Sequence, residues 1–167
     1  MASRLFFDPV VALRAAPLVS ATCTLLYARD QDFFLRIFNE PGNREKSRAL
    51  LPSYWRIFFR RGVVVVVGCL AATFWSSIAN LFVRRRALEA TQSFWWYVAG
   101  AALAAGHLLF IPAVAPSVRA ISNADKDGTD PNSALDGWLV INRFRMWTVD
   151  IAAWAACAVA VTRTLEA

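Results

Sequence analysis

The sequence predicts an all-α protein: a transmembrane four-helix bundle with an interfacial amphipathic helix between the first and second spans. Three observations predict it. Apolar residues make up 57% of the 167 residues and the mean hydropathy is +0.42, against roughly 45–50% apolar in a soluble domain. A soluble chain this short has too little interior to hide that much apolar surface, whereas a bilayer lets it face lipid. Two stretches, 62–83 and 94–118, carry no formal charge, and about 20 apolar residues suffice to cross a membrane. Seven tryptophans and twelve phenylalanines suit a protein whose rings gather at the two membrane interfaces.

The chain reads as a single membrane domain, 1–167. The first span, about 9–28, is apolar but contains Arg14 and Pro17. Arg14 lies close enough to the start to snorkel. No basic n-region with a small-residue cleavage site precedes it, so it is expected to act as an uncleaved anchor. A polar connection, 29–61, follows, with a turn at Pro41-Gly42-Asn43. Its second part, 44–61, places Leu51, Tyr54, Trp55, Phe58 and Phe59 on one side, the pattern of a helix lying in the interface. The second span is 62–83. Its valine run, 63–67, would suit a strand in water, but lipid requires a backbone bonded within its own segment.

A short connection holding Arg84-Arg85-Arg86 leads to the third span, 94–118, which Pro112 and Pro116 should kink. The third connection is acidic and rich in turn residues. The fourth span, about 138–162, has Arg143, Arg145 and Asp150 in its first half and a charge-free, alanine-rich second half. Ten Lys and Arg flank the first and third connections and five flank the other side, which favours a cytosolic first loop.

The net charge of +6 belongs to these loops and faces headgroups, with no basic stripe for nucleic acid. Cys23, Cys69 and Cys157 are too far apart for a zinc motif and odd in number for a disulfide set. One histidine rules out bis-histidine haem. With a single deep carboxylate it also rules out a di-iron carboxylate site. Phosphate loops, Gly-x-Ser-x-Gly and Cys-x-x-Cys are missing. The expectation is therefore no metal and no cofactor.

Ionisable groups at membrane depth are costly and tend to mark function. His107, beside Gly106, is the natural general base. Its alternative role is a neutral hydrogen-bonding group between helices. Trp138, Asn142 and Arg145 are spaced i, i+4, i+7 and share one helix face. Arg145 offers a planar fork for an enolate or carbonyl oxygen, and the alternative there is an interfacial anchor. Asp150 needs a partner, with Arg14 and Arg143 as candidates. Asn80, Ser76 and Ser77 are expected to bond between helices.

The stretch Trp95-Trp96-Tyr97-Val98-Ala99, through His107, Pro112 and Pro116 to Arg119-Ala120-Ile121, resembles the third-span region of the fungal anthrone oxygenase-like membrane proteins. That broad group also has bacterial members of unknown function. The Trp138, Asn142 and Arg145 face resembles its fourth-helix pattern, and Ser53 to Gly62 is similar too. The resemblance implies four spans, a fungal endoplasmic reticulum membrane and oxidation of an anthrone by O₂ in polyketide biosynthesis. It implies His107 as base, Arg145 and Asn142 on the enolate oxygen, and Trp95, Trp96 and Trp138 against flat rings, with Asp150 beside them. The partners so implied are the bilayer, a lipophilic small molecule and O₂, with homo-oligomers left open. The residues also leave open a cyclase or isomerase, a non-catalytic scaffold docking through 51–59, and a small channel or transporter.

Overall fold

The computed structural model describes residues 8–165. Met1 to Phe7, including Arg4 of the charge count, lie outside the described residues. Among those described there is no strand. Helix α1, Pro9–Arg36, begins at Asp8, whose carboxylate accepts from the Val10 and Val11 amides, with Pro9 at the first helical position. Pro17 has no N–H, so the Leu13 carbonyl loses its partner one turn back. Asn80 Nδ2 supplies the missing donor at 2.8 Å.

The short helix α2, Arg44–Ser47, precedes α3, Leu51–Phe82. After α4, Arg85–Ala90, the third long rod consists of α5, Phe94–Gly106, a 3₁₀ turn, His107–Phe110, and α6, Ile111–Asp127. The fourth consists of α7, Pro131–Arg145, a π-helical turn, Met146–Asp150, and α8, Ile151–Leu165. Four helical rods are thus long and apolar enough to cross a bilayer, and the chain is an integral membrane protein. They pack as a ring: α1 against α3 and α8, α3 against α5, and α5 against α8.

Each rod overshoots the membrane. The 32 residues of α3 make a helix of about 48 Å, against a hydrocarbon core of about 30 Å. The excess lies at the end bearing the first and third connections. This corrects the interfacial helix expected over 44–61. Apart from α2, that segment is the first three turns of α3 and runs unbroken into the second span. Most of its apolar side faces inward: Leu51 and Trp55 are buried with Leu35, Ile121, Leu135 and Leu139, Phe58 and Phe59 pack against them, and Tyr54 stays exposed. Trp55 meets Trp138 edge to face, centroids 5.3 Å apart. The fourth rod likewise starts earlier than 138, because Asp130 caps it and Pro131 opens it. The result is a helical cap with its own core, tied outside by Arg44 to Asp136 at 2.8 Å and Arg56 to Asp125 at 3.0 Å.

The opposite half of the bundle closes tightly on small residues, Ala101, Ala104, Ala153, Ala156 and Ala160 among them. At Gly100 a Cβ would sit 2.8 Å from Cys157 Sγ. Gly100→Ala should therefore cost about 1–3 kcal/mol, read as a lower unfolding midpoint in micelles. Adding Cys157→Ala should return most of the loss. An unshifted midpoint in the single variant would show that the helices part freely there.

Candidate active site

Two of the four rods depart from α-geometry part-way along their length, and both do so at the site. In a regular helix, residues five apart point about 140° away from each other. In a π-turn, i and i+5 stack. The Ile151 amide bonds to the Met146 carbonyl, five residues back, so Arg145 and Asp150 come to one face. Arg145 Nε donates to Asp150 Oδ2 at 3.2 Å. Thr148 Oγ1 donates to the Phe144 and Arg145 carbonyls and occupies acceptors that the wide turn leaves short of donors.

On the facing rod, Gly106 ends α5, and the 3₁₀ turn delivers His107 to the same carboxylate. His107 Nδ1 lies 2.7 Å from Asp150 Oδ1. An ionised carboxylate only accepts, so Nδ1 is the donor, and in the neutral imidazole Nε2 carries the lone pair. Nε2 makes no hydrogen bond among the described residues. Asn142 stands behind Arg145: its Oδ1 accepts from Arg145 Nη2 at 2.7 Å, and its Nδ2 donates to the Ala28 carbonyl at 3.2 Å. His107, Asp150, Arg145 and Asn142 are each at least 93% buried. Together they form one hydrogen-bonded chain that joins the third, fourth and first rods.

The chain borders an apolar cavity of about 130 Å³. His107 and Arg145 lie on its wall with Trp138, Gln31, Phe59 and Gly62. Asn142 and Asp150 do not reach it. Asp150 holds both His107 and Arg145, and Asn142 steadies Arg145 from behind. Arg145 uses Nε and Nη2 on protein partners, which leaves Nη1 as a donor for a ligand oxygen.

Several expectations change here. Asp150 pairs with neither Arg14 nor Arg143. Arg14 binds Asn80 and the Val83 carbonyl at the far end of the bundle, and Arg143 turns outward to Asp32. The π-turn is the reason, since it exchanges the distant partner for one five residues away. Trp95 and Trp96 lie at the outer surface, 75% and 38% exposed, near the start of α5 and away from the cavity. Exposed rings at the end of a membrane-length helix have the placement of an interfacial aromatic belt. Ser76 bonds its own helix at Ala72, and only Asn80 of the polar trio bridges helices. Sequence reasoning missed Gln31, Phe59 and Gly62. The last carried a signal: a glycine where charge gives way to apolar residues. A Cβ there would lie 2.8 Å from Tyr27 Oη.

The chain is 26% identical to "Epoxidase pydX" of Acremonium sp, covering 94% of this chain and 96% of that protein. It is 29% identical to "Epoxidase gkaX" of Penicillium citrinum, covering 85% and 88%. It is 28% identical to "Oxaleimides biosynthesis cluster protein N" of Penicillium oxalicum, covering 92% and 88%. The chain resembles fungal biosynthetic proteins. No family model and no solved structure matches it. The names of these relatives agree with the fungal biosynthetic setting that the sequence implied. Two of the three names speak of epoxidation, and none of oxidising an anthrone.

Proposed function

We propose that this protein is a membrane enzyme of fungal secondary metabolism that adds oxygen to a lipophilic substrate, in the endoplasmic reticulum. The observation that carries the reading is that His107 and Arg145, bridged from behind by Asp150, lie on the wall of an apolar cavity at membrane depth. In this reading His107 Nε2 removes a proton from a carbon activated by a neighbouring carbonyl. Asp150 holds the ring in the required tautomer and balances the imidazolium. Arg145 Nη1 binds the enolate oxygen. The enolate carbon reacts with O₂ to give a peroxide. Where an electron-poor double bond lies next to it, the peroxide transfers one oxygen there. The product then carries an epoxide and a hydroxyl, and both oxygens of O₂ are used. The anthrone reaction is the same first half without the neighbouring alkene.

The names of the relatives support the epoxide branch, and the geometry supports the base and the oxyanion donor common to both. Against a scaffold docking through 51–59 stands the burial of Leu51 and Trp55 in the protein's own cap.

Microsomes from a host expressing the chain would be given a lipophilic enone with an acidic C–H, and separately an anthrone, under ¹⁸O₂. We expect doubly labelled epoxy-alcohol or singly labelled quinone. The rate should fall about 10²–10⁴-fold in His107→Ala. Wild type no faster than His107→Ala would refute the reading. A rearranged product without label would move the same base to an isomerase.

A further inference from the structure

The cavity has one unguarded side. Its walls on α1 and the fourth rod, Gln31, Trp138 and Arg145, are buried. Towards the water, the buried core of the cap, with Trp55, Leu135 and Leu139, lies over it. The remaining side, between α3 and the third rod, is different. Val63 and Val67 on α3, one turn apart, and Leu108 and Ile111 opposite them line the cavity and are also 40–56% exposed on the outside of the bundle. All four lie within the apolar band, where the outside is lipid. The seam is also irregular along its third-rod side. Leu108 lies in the 3₁₀ turn, Ile111 opens α6, and Pro112 follows with no N–H to give.

We infer that the substrate reaches His107 sideways from the bilayer, through the gap framed by Val63, Val67, Leu108 and Ile111. Only its reactive head goes in. A volume of about 130 Å³ is close to that of a cavity that holds a single benzene ring, roughly 150 Å³. The substrate class is therefore an amphiphile: a compact head bearing a carbonyl, for Arg145, and an apolar body that stays among the lipid tails. The four threshold side chains set the width of head admitted. The identity of the head rests on the proposed function. The route does not, so access is measured without turnover.

The probe is a cysteine at position 31, on the back wall, in a chain with Cys157→Ser and Cys69→Ser and with Cys23 kept as an exposed control. In lipid nanodiscs, N-dodecylmaleimide reports access from the bilayer, and a charged methanethiosulfonate reports access from water. Mass spectrometry of peptides separates the two sites. We expect the dodecyl reagent to modify Gln31→Cys and the charged one to fail. Val67→Trp with Leu108→Trp should slow the modification at least about tenfold, with Cys23 unaffected, and Leu108→Ala should speed it. Should the double tryptophan chain not fold, Leu108→Ala alone decides. Equal or faster labelling by the charged reagent, or rates indifferent to Leu108, would overturn the side route. So would a position 31 thiol that reacts only after unfolding.

Discussion

Asp150→Asn is expected to abolish turnover and to cost about 3–5 kcal/mol of stability. The carboxylate is 2% exposed at its side chain and, among the described residues, is the one group bonded to both His107 and Arg145. An amide keeps its shape but turns one acceptor into a donor. Either it faces Arg145 Nε with another N–H, or it faces His107 and forces the wrong tautomer. In both cases Arg145 remains a buried cation without its counter-charge, which is the expensive outcome. A paired replacement separates the two roles. Asp150→Leu with Arg145→Met removes both charges, and it should recover most of the stability while remaining inactive. Unfolding in micelles and product formation in microsomes are the two measurements. A stable, active Asp150→Asn protein would mean that the bridge serves neither purpose.

The second large effect is expected at the other end. Arg14 is 3% exposed and has no carboxylate partner among the described residues. Its guanidinium donates instead to Asn80 Oδ1 at 2.9 Å, to the Asn80 carbonyl at 3.2 Å and to the Val83 carbonyl at 2.8 Å. These carbonyls end α3, where a helix leaves acceptors unpaired and carries partial negative charge. The planar fork closes off the helix terminus. Arg14→Met should lose about 3 kcal/mol, and Arg14→Lys should recover only part, because a point charge cannot span two carbonyls. Activity per folded molecule should persist, since the cavity lies several turns away. A Met variant as stable as wild type would show that water or lipid headgroups replace the fork at no cost.

These two sites also show what the sequence could reveal. Four spans were legible because a chain that stays in water rarely carries charge-free runs of membrane length. The shared face of Trp138, Asn142 and Arg145 was legible because i, i+4, i+7 is a property of any helix. His107 stood out as an ionisable group in an apolar run. The pairing of Asp150 was not legible, because it depends on a π-turn, and an ordinary helix would point residues 145 and 150 apart. Nor was the start of α3. Arg56, Arg60 and Arg61 read as the polar side of a separate interfacial helix, yet they sit on the outer side of a helix that runs unbroken into the second span. Trp95 and Trp96 were expected at the cavity on resemblance alone. Their ring chemistry suits an interface equally well, and only their place at the start of α5 decides between the two.

The π-turn bears on how the chain gets into the membrane at all. A lone arginine or aspartate near the middle of an inserting helix costs roughly 2.5–3.5 kcal/mol. Arg145 and Asp150 belong to one helical rod and bond to each other across a single turn, so the fourth rod can leave the translocon carrying a neutral, closed pair. The charges that make up the site are thus shielded within one rod, by a contact that does not depend on His107 or Ala28 packing against it.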